Sequence, residues 1–315
     1  MRVLITGGLG NLGSWLTDHL VNSGHEITVL ASRKRNVLES LNFKFVSCDI
    51  TDLSSVELAL KDLEFDSVIH AASSNDFFEE GYDKSSLMVN AYGTRNLLEA
   101  FSKKTELKNF IYLSTFHVYG AGEGDVNEDS LVLPRNDYAI THLFGEEYVQ
   151  YFNRTQDLPF TIIRLSNSYG CPKEMNSSKW YLVLNDMAKS AFDTGEIVIR
   201  TNGKASRDFV WMGDVCSVFE KMVNNNLGEN ETYNLSSQKN FEVIEIANYV
   251  ASAYRKKYGK EVLLKINEND TNNYKVVTVD SSKIQAKFET SFSVEFESEA
   301  LKIFNLLEES KKWHQ

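Results

Sequence analysis

The chain has 315 residues, 42% of them hydrophobic, and carries 33 Lys and Arg against 44 Asp and Glu for a net charge of −11. That balance disfavours nucleic acid or an anionic membrane as the main partner, and the length supplies a core that needs no disulfide support. Cys48, Cys171 and Cys216 are odd in number, far apart and outside any CxxC or Cys/His cluster, so they read as reduced packing residues with no metal-ligand spacing.

An apolar strand-like run opens at residue 2, and no stretch reaches the roughly 18 apolar residues of a membrane span. A cytoplasmic protein that engages no membrane is the expectation. From residue 2 to 165 the runs "RVLIT", "EITVL", "FKFVSCD", "DSVIHAA", "NFIYLST" and "FTIIRLS" alternate with segments of helical spacing: "NLGSWLTDHLVNSG", "SSVELALKDL", "SSLMVNAYGTRNLLEAFSKK" and "DYAITHLFGEEYVQYFNRT". Such alternation predicts an α/β fold, a Rossmann-like doubly wound parallel sheet with helices on both faces. After 167 the alternation loosens into a smaller mixed α/β lobe that closes with a helix from 296. No Gly/Ser linker separates the parts, so a dinucleotide-binding domain over 1–167 and a substrate lobe over 168–315 should pack closely, with strand exchange between them and a cleft in between.

"LITGGLGNLGSWL" places Gly7, Gly8, Gly10 and Gly13 between the first strand and the first helix. Glycines there form the turn, bring backbone N–H groups to a pyrophosphate and let helix pack on strand, while the helix N-terminus favours the anion. An NAD site usually has an acid at the end of the second strand. This chain reads "VLASRKRN" there: Ala31, Ser32 and Arg33 offer no carboxylate, and Arg33 and Arg35 could pair with a 2′-phosphate. NADP(H) is therefore favoured, with NAD(H) possible and a merely solvated basic loop as the bland alternative. Asp49 in "SCDITD" ends the third strand, where it could accept from the adenine amine, while Asp52 reads as a helix cap. Ala71 and Ala72 in "HAAS" suit either close cofactor approach or dense packing.

With these residues in hand, the chain resembles the extended short-chain dehydrogenase/reductases, the NAD(P)-dependent nucleotide-sugar epimerases, dehydratases and ketoreductases. The resemblance covers nearly the whole chain and rests on "TGGLGNLG", "CDITD", "HAA", "NAYGTRNLLEA", "YLSTFHVYG", "YAITHLFGEE", "IIRLSNSYG", "RDFVWMGDV" and "VDSSKI", in family order. It implies cofactor contacts from Gly7, Gly10, Asn11, Leu12, Gly13, Ile50, Ala71, Ala72 and Asn90, and a second lobe that closes over a nucleotide diphosphate sugar. It places the sugar-binding hydroxyl on Thr115 with Ser114 beside it, and the proton-transfer phenol on Tyr138. Asn167 and Arg207 fall on positions that hold the sugar phosphates; the bland reading of Arg207 is an ion pair with Asp208 or Asp214.

Three features depart from the family pattern. The lysine four residues after the tyrosine, which lowers the phenol's pKa and holds the nicotinamide ribose, is replaced by His142. It lies on the same helical face as Tyr138 and, at an ordinary pKa near 6.5, would be partly charged, so activity should follow histidine charge over roughly pH 5.5 to 8. The acidic pair that follows the catalytic threonine in dehydratases is Phe116 and His117 here, which disfavours 4,6-elimination. The second phosphate-binding arginine is missing from "NENDTNNYK", with Lys275 as a candidate replacement.

The resulting expectation is 4-keto reduction of a nucleotide sugar, in which Tyr138 starts as an acid. A nucleotide-sugar 4-epimerase is the alternative within the family, and a non-catalytic NADP-binding sensor or scaffold the alternative outside it. The segments 85–101 and 137–153, the second carrying Phe144, Tyr148, Tyr151 and Phe152, predict a homodimer.

Overall fold

The computed structural model of the chain describes residues 1–74, 85–104, 107–225 and 228–313. It begins with β1 (Arg2–Thr6), α1 (Asn11–Asn22), β2 (Glu26–Ala31), β3 (Lys44–Ser47), α2 (Leu53–Leu60) and β4 (Ser67–His70). A π-helical stretch (Leu87–Gly93) then runs into α3 (Thr94–Phe101), followed by β5 (Asn109–Thr115), β6 (Gly124–Val126), α4 (Asp137–Gln156) and β7 (Phe160–Leu165). Next come β8 (Asn167–Tyr169), α5 (Val183–Thr194), β9 (Glu196–Ile199), β10 (Ser206–Trp211), α6 (Met212–Asn225) and β11 (Glu231–Leu235). The last elements are β12 (Asn240–Glu242), α7 (Val243–Tyr258), β13 (Leu263–Ile266), β14 (Val277–Val279), α8 (Ser282–Phe288) and α9 (Phe296–Trp313).

Seven strands form one sheet in the order β3-β2-β1-β4-β5-β7-β11, and every neighbouring pair is parallel. This is the α/β doubly wound arrangement. Both faces are covered, which explains why β1, β4 and β7 are buried and largely apolar on both sides. On one face Val3, Ile5 and Val29 meet Leu16 and Leu20 of α1 and Phe219 and Val223 of α6. On the other, Leu4, Val68 and Phe110 meet Val56 of α2, Leu97 and Phe101 of α3 and Val149 of α4. Each such side chain stabilises the fold by about 1.5–3 kcal/mol on burial. The strand order reverses between β1 and β4, and a crevice opens beyond the carboxyl ends of strands at such a switch point.

A second core gathers Leu184 and Met187 of α5, Ile246 and Val250 of α7 and Phe296 and Phe304 of α9. β11, from the second half of the chain, nonetheless lies on the edge of the large sheet beside β7. The segment read as one helix over 85–104 is π-wound at its start. Gly93 meets Ile50, where a Cβ would lie 2.8 Å from the isoleucine side chain, and a Cβ on Gly145 of α4 would lie 2.1 Å from Tyr112 Oη and 3.1 Å from Asn90 O. A π-turn places Asn90 facing the end of β4, and such turns often sit at functional sites.

Candidate active site

At the amino end of the crevice, the chain leaves β1 and turns into α1 through glycines. Gly7 takes φ +67°, and a Cβ there would lie 2.7 Å from Ala72 Cα. A Cβ on Gly13 would lie 2.0 Å from Gly7 O. Gly10 N donates to Gly7 O at 2.8 Å, which closes the turn. The first turn of α1 has no side-chain cap, so its free N–H groups and the positive end of the helix dipole face the crevice. Asn11 Oδ1 is buried with no hydrogen-bond partner. A cradle that excludes side chains and is lined by unspent donors fits a dinucleotide pyrophosphate. Leu12 packs against the core beneath it.

The walls differ in detail from the sequence expectation. Ser32 and Arg33 are exposed beyond β2, and Arg33 has no ion-pair partner among the described residues. Arg35 is engaged instead: it pairs with Glu174 of the second lobe and donates to Leu9 O and Asn176 O, both at 3.3 Å. Asp49 is exposed, and its Oδ1 accepts from Thr51 N and Thr51 Oγ1 at 2.9 and 2.8 Å. Asp52 caps α2 by accepting from Ser54 N. Ile50 is buried, with its carbonyl accepting from Asn96. Ala71 N and Ala72 N donate to Thr6 O and Thr6 Oγ1, both at 3.2 Å. Asn90 offers no free amide to a cofactor. Its Oδ1 accepts from Ser74 N at 2.8 Å, and its Nδ2 donates to Ser74 O and Thr141 Oγ1 at 2.9 and 3.1 Å, so it shapes the wall through Ser74.

The other end of the crevice is built on β5 and α4. Asn136 Oδ1 accepts from Ala139 N at 2.8 Å and starts α4, which sets Tyr138 in its first turn over the end of β5. There burial pushes the phenol's pKa up to about 12, although the neighbouring Thr115 hydroxyl acts to lower it. Tyr181, from the second lobe, lies close enough to raise it further. His142 does follow on the same face, with its ring 4.6 Å from that of Tyr138 in an edge-to-face arrangement.

His142 is not the partly charged group the sequence suggests. It is buried, with Nε2 3.2 Å from Ser73 Oγ and Nδ1 3.3 Å from Tyr112 Oη. Burial first, and then the neighbouring His117, hold its pKa down at about 3. It is therefore neutral around pH 7 and supplies no positive charge to the phenol. His117 stands at the open side of the site, its ring 6.1 Å from Tyr138. Desolvation and the charge of Arg207 lower its pKa as well.

Ser114 is committed to a buried partner. Its hydroxyl donates to Glu146, which is itself paired with Arg164 at 2.7 Å with both partners buried. Arg164 goes on to Tyr119 Oη at 3.0 Å, and Tyr119 to Asn234 Oδ1 at 2.7 Å. This polar chain under the site ties β5, α4, β7 and β11 together. Asn167 donates to Asp208 O at 2.9 Å. Arg207 is exposed and pairs with neither nearby acid: Asp208 accepts from Ser237 and Lys239 N, and Asp214 from Ser293 N. Lys275 lies in an exposed pair with Glu123 at 2.6 Å.

Several site residues carry no motif. His70 sits fully buried between Thr6 Oγ1 at 2.6 Å and Thr94 Oγ1 at 2.8 Å, and burial holds it neutral with a pKa of about 3. Ser73, Tyr112 and Tyr181 surround the phenol–imidazole pair without any spacing that announces them. Arg164 and Glu146 were detectable: a charge inside the apolar run "FTIIRL" requires a buried partner.

The model of the NAD dependent epimerase/dehydratase family matches residues 3–236. The chain belongs to that family. It is 28% identical over 271 residues to an Arabidopsis thaliana trifunctional UDP-glucose 4,6-dehydratase/UDP-4-keto-6-deoxy-D-glucose 3,5-epimerase/UDP-4-keto-L-rhamnose-reductase, covering 80% of this chain and 40% of that protein. With the Dictyostelium discoideum dTDP-D-glucose 4,6-dehydratase it shares 27% over 274 residues, 79% of this chain and 61% of the relative. The chain thus spans less than two thirds of these two relatives. Its fold is that of the Bacillus cereus UDP-glucuronic acid 4-epimerase in complex with UDP-glucuronic acid and NAD, with a TM-score of 0.79 and 23% identity over 98% of this chain and all of that one. No helix among the described residues is long and apolar enough to cross a membrane.

Proposed function

We propose that this family member reduces the ketone of a nucleotide diphosphate sugar, with Tyr138 as proton donor. The observation that carries the reading is the state of the phenol. It stands beside Thr115, is pushed up to about 12, and has 4.6 Å away an imidazole ring that brings no charge, so it is a phenol at neutral pH. A bound nicotinamide dinucleotide would supply the hydride. Tyr138 then gives its proton to the carbonyl oxygen as that oxygen gains charge, and Thr115 orients both. Arg207, with no ion-pair partner among the described residues, and the remaining amide hydrogen of Asn167 would hold the sugar phosphates through directional donors. Elimination is disfavoured because the two positions after Thr115 are Phe116 and His117, neither a carboxylate.

A 4-epimerase is the second reading, supported by the likeness to the Bacillus cereus enzyme. It asks Tyr138 to begin as a base, which the neutral His142 does not favour. A non-catalytic sensor would have no use for Tyr138 set beside Thr115 and His142. For the cofactor, the exposed Arg33 supports NADP(H), and the engagement of Arg35 supports NAD(H).

The deciding experiment supplies 4-keto and 4-hydroxy nucleotide sugars with each cofactor. Net oxidation of the reduced dinucleotide by the ketone supports reduction; interconversion of 4-hydroxy epimers without net oxidation overturns it.

We further propose a homodimer. Leu87, Met88 and Tyr92 of the π-helical stretch and Phe144 and Tyr151 of α4 are exposed and line an apolar groove of about 690 Å³ with Tyr148. Phe152 is not part of it, being buried in its own core. A monomeric mass in light scattering would count against the dimer.

A further inference from the structure

We propose that Glu174 selects against a phosphorylated adenosine ribose by occupying Arg35, and so sets the cofactor preference of the site. The inference rests on the dinucleotide reading of the α1 cradle. The second strand ends without the acid that usually meets the ribose hydroxyls, and Arg35 is the kind of residue that accommodates a 2′-phosphate there. Its guanidinium reaches back to Leu9 O in the glycine turn at 3.3 Å, so it belongs to the wall of the cradle. Yet its charge is met by Glu174, which comes from the other lobe.

That carboxylate is held in place by several independent contacts. Trp15 Nε1 of α1 donates to Cys171 O at 3.0 Å. Lys173 pairs with Asp18 of α1 at 2.5 Å and lies 4.6 Å from the Trp15 ring centre. Arg35 itself donates to Asn176 O at 3.3 Å. Residues 171–177 are thereby strapped along the first turns of α1. Gly10, Asn11, Ser14, Arg35, Lys173 and Glu174 line one small crevice beside the helix start.

The consequence is electrostatic. A 2′-phosphate would gain a bidentate, charge-assisted pair with Arg35, but only after displacing Glu174, and the displaced carboxylate would then repel it at short range. A ribose bearing two hydroxyls meets neither obstacle, since a carboxylate accepts from hydroxyls. Glu174 thus delivers from the second lobe the acid that the end of β2 lacks.

The test titrates the full chain with NADH and with NADPH in four forms: wild type, Glu174→Gln, Arg35→Gln and the double variant. Glu174→Gln should shift the affinity ratio toward NADPH on the order of ten-fold, and the shift should vanish when Arg35 is also glutamine. An unchanged ratio in Glu174→Gln, or a shift that survives the loss of Arg35, overturns the proposal. Should Glu174→Gln fail to fold, Glu174→Asp, which shortens the reach by one methylene, should shift the ratio in the same direction by less, and no shift overturns the proposal. Wild-type protein that binds neither dinucleotide overturns the reading beneath it, a result distinct from binding both with an unaltered ratio.

Discussion

The two ends of the crevice are made of different material. At the α1 end, the surface offered to a ligand is main chain: a turn at Gly7, a Gly13 with no room for a side chain, and uncapped N–H groups. At the α4 end it is side chains, Tyr138, Thr115 and His142, whose behaviour depends on what surrounds them. A backbone cradle is specified by where glycines fall between a strand and a helix, and its chemistry follows directly. A side-chain site is specified by identity and spacing only as far as geometry. Its protonation states depend on burial, which His142 demonstrates by turning from an expected partial cation into a neutral ring.

The largest effect that separates the two ends should come from Tyr138→Phe. Removal of a positioned proton donor lowers turnover by about 10²–10⁴-fold, while the α1 cradle is untouched. Single-turnover rates should collapse, with dinucleotide affinity held within about three-fold. Full activity in this variant would dismiss Tyr138 as the donor, and a parallel loss of cofactor affinity would show that the two ends are not separable.

Gly13→Ala should produce the complementary pattern. The new methyl would meet Gly7 O at 2.0 Å and Gly8 Cα at 2.9 Å, both backbone atoms that cannot rotate away. Overpacking of this kind costs about 1–3 kcal/mol and must displace the turn that presents the N–H groups. Dinucleotide affinity, read by fluorescence titration, should fall by roughly 10- to 100-fold, with little change in the Tyr138 environment. Unaltered affinity would break the claim that the backbone turn carries the cofactor.

The contrast also marks what was legible before any coordinates. The parallel sheet, its switch point and the helix that bears Tyr138 all follow from local patterns: apolar runs, glycines after β1, and an Asn136 cap. The i, i+4 placement of His142 beside Tyr138 follows from helix geometry. Other features depend on contacts distant in sequence. Ser114 is adjacent to Thr115 yet faces Glu146, because β5 sends neighbouring side chains to opposite sides. Arg35 and Glu174 meet across 139 positions, and no local spacing encodes that partner. Asn90 lies in a family motif, but its amide is used to hold Ser74, which only the π-turn makes possible.

The smallest of the effects comes from the two buried histidines and tests the neutral site directly. His70 and His142 each have a folded pKa of about 3, against an ordinary value near 6.5 in the unfolded chain. Between those values the unfolded chain binds protons that the folded chain refuses, so stability is fully present above about pH 6.5 and is lost as the pH falls toward 3. Each histidine should contribute a slope of up to about 1.4 kcal/mol per pH unit in that window. Urea denaturation from pH 7 down to 5 should show the decline, and His142→Asn should reduce it by about half while His70 remains. Turnover, in contrast, should show no titration from His142 across roughly pH 5.5 to 8, where an unburied imidazole would change charge. A stability that is flat in pH while the rate titrates near 6.5 would mean that His142 is protonated in the working protein. The phenol would then have a cationic neighbour after all, and the chemistry at the α4 end would move from a reductase's acid toward an epimerase's base.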